Sequence, residues 1–287
     1  MAEQVIKFLD LPPELSDPAT ARYAVLPVPF EATAPYKAGT AAGPIAVLEA
    51  SRHLTCFDEE LCRSFAEAGV ATCPVVQPAP TVEGQLPRVR EAAEPVLRSG
   101  SFLLSLGGEH AITVPIVEAA AEMHADLSVL QIDAHPDLRE TYEGSRYSHA
   151  CVMRRVLETT DRICQVGIRS IAPEEYEACP QQVDKFITPA HAAGDPDWID
   201  RALALLSENV YVTLDIDGLD PSIAPGTGCP EPAGLTYEQV VSLLRRVCLE
   251  RRVVAADIVE VCPIPPNRVT EHVAARLACK IIAYTQL

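Results

Sequence analysis

The chain is poor in several things, and each shortage excludes something. Its 287 residues contain no run of about 18 apolar residues, so no transmembrane helix is expected. The first ~20 residues lack a basic start, a long apolar stretch and a small-residue cleavage site, so they do not read as a signal peptide. With Pro12, Pro13, Asp17 and Pro18, they are expected to form an extended arm on the surface or on a neighbouring subunit. Basic residues are also scarce, 23 against 40 acidic ones. The resulting net charge of −17 argues against nucleic acid or an anionic membrane as partner, and it favours solubility and encounter with small cationic molecules. Ten cysteines are present, but no two have Cys-x-x-Cys spacing. A structural zinc site is therefore not expected, and without an export signal the thiols should stay reduced as small core fillers. No internal repeat or low-complexity tract occurs, and the proline-rich stretch 73–80 reads as a loop. These features suggest one cytoplasmic domain over 1–287.

What is present is alternation. Apolar runs rich in Val, Ile and Leu at 23–28, 102–106, 127–132, 163–168, 210–216 and 253–261 suit strands buried on both faces. Between them lie helix-like stretches at 44–54, 81–97, 110–123, 149–157, 197–206, 236–248 and 270–284. Pro44 after Gly43 fits a first-turn proline, and Thr236 with Gln239 matches a capping box. The expected fold class is α/β, a three-layer α/β/α sandwich around a mostly parallel sheet. Ligands in such folds collect at the carboxyl ends of the strands.

Three short segments at the ends of apolar runs carry ligand-type side chains: Gly107-Gly108-Glu109-His110, Asp133-Ala134-His135-Pro136-Asp137, and Asp215-Ile216-Asp217-Gly218-Leu219-Asp220-Pro221. Asp133, His135 and Asp137 fall at i, i+2 and i+4, and Asp215 and Asp217 repeat the i, i+2 step. Alternate residues of an extended chain point the same way. Carboxylates a few ångström apart cannot all ionise unaided, and a pair of divalent cations removes that objection. Carboxylates and imidazoles without thiolate suit an oxygen-preferring octahedral ion, with manganese(II) fitting best. Asp220, before Pro221, reads as a loop-ordering residue rather than a ligand.

In order and spacing these segments resemble the three signatures of the ureohydrolase family, which includes arginases and agmatinases. Flanking matches extend the resemblance from about residue 23 to the C-terminus: Pro27 to Glu31, Lys37 to Thr40, Gly43-Pro44, Ala224 to Gly228 and Asp257 to Val261. The resemblance implies an eight-stranded sheet, two Mn2+ per subunit and assembly as a homotrimer or homohexamer. One ion would be held by His110, Asp133, Asp137 and Asp215, the other by Asp133, His135, Asp215 and Asp217. Asp137 would accept the proton of the attacking water, His149 would shuttle protons, and Glu260 would grip the substrate guanidinium through paired hydrogen bonds. For Glu260 an ion pair with a nearby arginine is the structural alternative. Glu109 is expected to orient a ligand imidazole.

Substrate choice is less constrained. The asparagine of the arginase stretch before the loop histidine is absent from Gly144-Ser145-Arg146-Tyr147-Ser148, so the loop is more like that of agmatinases. This favours agmatine hydrolysed to putrescine and urea, a step of polyamine biosynthesis. Glu140 and Glu143 would welcome a tail amine, whereas Arg139 or Arg146 could bind a carboxylate tail, as in guanidinobutyrase or formimidoylglutamase. Ala111, Cys151, Cys229 and Cys262 depart from the residues usual at their positions, which are Ser, Thr, Thr and Asn. The other classes weighed are an inactive metal-binding homologue acting as a subunit and a single-zinc deacetylase of the same broad fold.

Overall fold

A computed structural model of the chain describes residues 6–33 and 36–287. In chain order its elements are β1 (Tyr23–Val28), α1 (Gly43–Ser51), β2 (Phe57–Asp58), β3 (Arg63–Ser64), β4 (Val70–Thr72), α2 (Val82–Ser99), β5 (Phe102–Gly107), α3 (Thr113–Ala121), β6 (Ser128–Ile132) and α4 (Val152–Val156). There follow β7 (Ile163–Val166), α5 (Pro173–Ala178), α6 (Pro180–Val183), α7 (Pro189–Gly194), α8 (Trp198–Ala204), β8 (Asn209–Asp215), α9 (Tyr237–Glu250), β9 (Arg252–Val259) and α10 (Val269–Tyr284). Seven strands form one sheet in the order β4-β1-β5-β9-β8-β6-β7, every neighbouring pair parallel. β2 and β3 make a separate antiparallel ribbon.

The sheet has seven strands where the resemblance implied eight. Beside β7 the chain returns at Ile187 and makes a single parallel bridge with Val166, closed by Ile187 N–H to Gln165 O and Gly167 N–H to Ile187 O. The next residues stop that pairing. Thr188 is the N-cap of α7 and Pro189 opens it, and proline brings no N–H to a ladder. The eighth strand is thus reduced to one residue pair.

Alternate side chains of each strand enter opposite cores. On β5, Leu104 and Leu106 join a cluster that contains Val47 and Leu48 of α1 and Leu243 and Val247 of α9. Leu103 points the other way, among Val89 of α2 and Val114 and Val117 of α3. β8 divides likewise, with Val210, Val212 and Leu214 on the first side and Tyr211 on the second. Burial of each such Leu or Val contributes roughly 1.5–3 kcal/mol, which is why the strands read as continuous apolar runs. The capping box at α9 is present, with Thr236 Oγ1 accepting from Gln239 N–H at 3.1 Å and Gln239 Oε1 accepting from Thr236 N–H at 2.9 Å.

Residues 1–5 of the expected N-terminal arm lie outside the described residues. The remainder is not simply extended. It forms 3-10 turns at Phe8–Asp10 and Pro13–Leu15, and Phe8 is fully buried in this chain's own core. The backbone N–H groups of Phe8 and Leu9 anchor it to Thr72 Oγ1 and Ser51 Oγ at 2.9 and 2.8 Å. All ten cysteines are unpaired.

Where β1 and β5 end side by side, the two chains nearly touch. Gly108 N–H donates to Val28 O and Glu109 N–H to Phe30 O. A Cβ on Gly108 would lie 2.1 Å from Phe30 O, so only glycine lets the chain turn here toward His110. Gly108→Ala should therefore lower stability by about 3 kcal/mol, whereas Gly194→Ala, with nothing within 4 Å of its Cβ position, should be near neutral. Urea unfolding of the two variants checks this, and equal midpoints would contradict it.

Candidate active site

Parallel strands all end on one edge of the sheet, and four adjacent ones end in ligand-type residues. In spatial order β5 leads to His110, β9 to Glu260, β8 to Asp215 and Asp217, and β6 to Asp133, His135 and Asp137. Because β5 and β6 are consecutive in the chain but separated in the sheet by β9 and β8, the edge opens between them, where open α/β sheets bind ligands.

The structure brings all six expected metal ligands together. Ligand atoms of His110, Asp133 and Asp137 lie within 4.8 Å of one another, as do those of Asp133, His135 and Asp217, so Asp133 belongs to both groups. His110 Nδ1 is 2.9 Å from Asp137 Oδ2, 3.2 Å from Asp133 Oδ2 and 3.5 Å from Asp215 Oδ2. His135 Nδ1 is 3.1 Å from Asp217 Oδ2 and 3.6 Å from Asp133 Oδ1. Although buried among three carboxylate oxygens, His110 Nδ1 has none aligned as a hydrogen-bond partner. Such a ring nitrogen could exchange its proton for a cation shared with the carboxylates.

Electrostatics point the same way. Burial, followed by the neighbouring charge of Asp133, pushes Asp137 up to about 7. Burial, then Asp217, raises Asp215 well above the usual carboxylate range, and burial, then Asp133, raises Asp217. Burial opposes charge on His135, yet Asp217 and Asp133 outweigh it and lift the ring to about 12. Burial likewise opposes charge on His110, and Asp133 and Asp137 raise it well above the ordinary imidazole value. A cluster that gathers protons so avidly is short of positive charge. Among the described residues no lysine or arginine forms an ion pair with these aspartates; their only close cationic partners are His110 and His135. The donor set fits hard or borderline divalent cations.

Several residues that the sequence did not single out hold this cluster in shape. Gln131 Nε2 donates to Asp133 Oδ2 at 2.7 Å, and Gln165 Nε2 donates to Gln131 Oε1 at 2.5 Å. Both glutamines are fully buried inside β6 and β7, and a polar residue within an apolar strand run was the available signal. Arg169 sits beneath the Asp215–Leu219 turn and donates to the carbonyls of Asp217 and Glu231 at 2.7 Å and Pro232 at 3.0 Å. Thr213 Oγ1 lies 2.8 Å from His110 Nε2 and donates to Asp257 Oδ1 at 2.6 Å. The group on the His110 ring is thus Thr213, and the expected role of Glu109 needs correction. Glu109 Oε1 instead accepts from Ala32 and Thr33 N–H and Oε2 from the Thr33 hydroxyl, which lies 2.9 Å from His149 Nδ1. It reaches out of the sheet edge to the loop after β1 and so sets the position of His149. Asp220 orders its own loop, accepting from Ser222 and Gly234 N–H at 3.0 Å.

The cluster floors a cavity of about 220 Å³ whose walls include His149, Tyr142, Arg139, Glu175, Cys229 and Glu260. Glu260 has φ +62° and Asp137 φ +53°, strained conformations for side-chain-bearing residues. Glu260 is fixed by its own N–H to Gly108 O at 2.8 Å and by Oε1 accepting from His110 N–H at 2.7 Å. Burial, then nearby Glu109, raises its pKa well above the usual range. The alternative arginine partner for Glu260 does not occur, since no ion pair to it forms among the described residues. His149 is lowered to about 4 by burial first and by the charges of His110 and His135 next, so its ring is neutral at pH 7. Tyr142 packs edge-on to it, 5.7 Å between ring centroids, and Arg139 covers the Tyr142 face at 4.6 Å.

The tail-binding expectations are corrected in part. Glu140 is committed to Arg154 and Arg155 at 2.7 and 2.8 Å, and Arg146 to Glu158 at 2.7 Å; neither Glu140, Glu143 nor Arg146 lines the cavity. Arg139 and Glu175 do. Cys229 lines the wall too, while Cys151 and Cys262 are buried, each with its Sγ toward a carbonyl, of Ser145 and Ala38. Among the described residues no helix is long and apolar enough to cross a membrane.

Comparison with known proteins gives the same picture. Residues 21–284 match the model of the Arginase family. The chain is 37% identical over 274 residues to N(1)-aminopropylagmatine ureohydrolase of Synechocystis, covering 93% of this chain and 90% of that one. It is 31% identical to agmatinase of Pyrococcus horikoshii over 91% of each. The crystal structure of agmatine ureohydrolase of Thermoplasma volcanium superposes with TM-score 0.88 at 31% identity, covering 99% of this chain and 96% of that one. The chain therefore belongs to the arginase family and is a hydrolase of guanidino compounds.

Proposed function

We propose that the chain is a manganese-dependent ureohydrolase of a linear guanidino amine, releasing urea and a polyamine, in the cytoplasm. Within this class we rank N(1)-aminopropylagmatine first and agmatine, which would yield putrescine, second. Relatives named for the aminopropyl compound are 37% identical over 93% of this chain, 39% over 85% and 33% over 92%, whereas those named for agmatine are 31% over 91%, 32% over 86% and, in Gallus gallus, 38% over only 62%. The observation that carries the reading is the coexistence, at one strand edge, of two His/Asp groups sharing Asp133 and a half-buried carboxylate, Glu260, which lines the same cavity and has no ion-pair partner among the described residues.

Residues His110, Asp133, Asp137 and Asp215 would hold one Mn2+ and Asp133, His135, Asp215 and Asp217 a second. When bound, the two ions supply Lewis acidity that offsets the carboxylate charge and acidifies water for attack on the guanidino carbon. Glu260 then binds the guanidinium through charge-assisted hydrogen bonds, with its backbone strained so that the carboxylate faces the cluster. Asp137, on the floor of the cavity, would take the proton released by water. His149, neutral and held by Thr33, accepts or returns protons at the mouth of the cavity and delivers one to the leaving amine, which cannot depart as an anion. Glu175 offers a carboxylate to a tail ammonium, with Oε1 and Oε2 fixed by Leu138 and Ala172 N–H at 2.9 Å. A homotrimeric or homohexameric assembly is part of the same proposal.

A panel of aminopropylagmatine, agmatine, guanidinobutyrate, arginine and formimidoylglutamate should give urea from the first two after manganese loading; urea from arginine alone, or formamide alone, would overturn the ranking. Glu260→Gln should lower kcat/KM at least about tenfold by removing a charged partner of the guanidinium, and an unchanged value would deny that contact. His149→Phe should lower kcat by about 10²- to 10⁴-fold with KM little changed; steady-state urea release measures both, and a wild-type kcat would exclude proton transfer by this ring.

A further inference from the structure

We propose that Asp257, acting through Thr213, sets the tautomer of the His110 ring and so turns the Nδ1 lone pair toward the metal-binding carboxylates. This rests on the metal-dependent reading given above. Thr213 on β8 and Asp257 on β9 are direct register partners, and both are fully buried. A threonine hydroxyl has one proton to give. Thr213 gives it to Asp257 Oδ1 at 2.6 Å, while the same oxygen lies 2.8 Å from His110 Nε2. With its proton so committed, Thr213 can meet the ring only with a lone pair, and Nε2 must be the N–H. Once a cation takes the place of the Nδ1 proton, the imidazole is neutral and keeps its single N–H on Nε2, which leaves the Nδ1 lone pair for the ion.

The reverse arrangement is blocked on every side. Asp257 Oδ2 already accepts from Tyr211 OH at 2.6 Å and from Thr113 Oγ1 at 2.8 Å, so the carboxylate stands among three hydroxyl donors and gives none. Thr113 is also 3.4 Å from the Thr213 hydroxyl, but its own proton is committed to Asp257. Turning Thr213 toward the ring would strip a buried anion of one of its three hydrogen bonds. On the far side of the imidazole, Nδ1 faces Asp133, Asp137 and Asp215 with no aligned hydrogen-bond partner, the side on which a cation would take the place of its proton. Thr213 and Asp257 are positioning residues in this account: they touch neither substrate nor metal.

The test is Mn2+ binding, followed by electron paramagnetic resonance of free Mn2+ and by calorimetry, which needs no turnover. Wild type should bind two ions. Thr213→Val should weaken the ion held by His110 by about 10- to 100-fold, leave the other near wild type, and be rescued by Thr213→Ser. Tyr211→Phe removes a hydrogen bond from Asp257 without touching the relay and should keep both affinities even if it lowers Tm. Long-range nitrogen-15 spectra of the zinc-loaded wild type should show His110 protonated at Nε2, a readout that survives even if the valine variant does not fold. Two ions bound as tightly by Thr213→Val as by wild type, or His110 protonated at Nδ1, would overturn the relay alone. A wild type that binds no ion would overturn the metal reading beneath it.

Discussion

Four aspartates share one small buried volume, and the rest of the site is organised by the need to balance their charge. Three of them are raised in pKa by burial and by one another, and the two imidazoles beside them are driven toward protonation. In an apolar interior the usual answer would be arginine or lysine. Among the described residues neither pairs with these aspartates, although Arg139 and Lys37 stand at the cavity wall. Arg169, which comes closest from below, donates to carbonyls of the turn rather than to carboxylates, so it shapes the cluster without neutralising it. The space between the aspartates could therefore receive a multivalent cation, and without such a charge the cluster is costly to keep folded.

That cost explains the density of fixed hydrogen bonds around the site. Three of the four aspartates accept from backbone or side-chain donors: Asp133 from His135 N–H and Gln131, Asp215 from Asp217 N–H, and Asp217 from Ala134 N–H. The donors belong to the same strand-end turns as the ligands, so a turn cannot relax without losing them. Strain is concentrated where the side chain must be aimed against the backbone's preference, at Asp137 and Glu260. The surrounding sheet, with both faces buried, is stiff enough to hold two such residues at about 1–3 kcal/mol each.

The strand ends were legible in the sequence because period-two spacing and apolar runs are local properties. Asp133, His135 and Asp137, or Asp215 and Asp217, announce themselves within one segment. What was not legible depends on which strands become neighbours. Thr213 and Asp257 are 44 residues apart; each is a polar residue inside an apolar run, but their partnership shows only when β8 and β9 lie side by side. Gln131 and Gln165 meet only because β6 pairs with β7. Glu109 was assigned to a ligand ring because it adjoins one in sequence, but consecutive residues at a strand end face apart, and it turned instead to Thr33. The short helices α5 to α7 and the three-residue edge strand β4 were also missed, being too short to show a period. The expected eighth strand failed at Pro189, a residue visible in the sequence whose consequence required knowing that Ile187 returned to the sheet edge.

Chemistry and substrate choice therefore sit on different parts of the molecule. The aspartates, His110 and Glu260 are anchored to four adjacent strands whose register is fixed by the buried alternation of their side chains, so a one-residue slip would turn the whole set away from the cavity. The walls that meet the rest of a substrate come from loops: Tyr142 and Arg139 after β6, Glu175 on a two-turn helix, and Cys229 after β8. Arg139 among them is partly solvent-facing, its side chain meeting the face of Tyr142 and a carboxylate of Glu174 at 3.7 Å. Loops of this kind can exchange residues at small cost to the sheet. His149 joins the two regions, because Glu109 at the end of β5 holds Thr33, and Thr33 holds the His149 ring against Tyr142. The loop histidine thus keeps its distance from the cluster whatever tail the cavity receives.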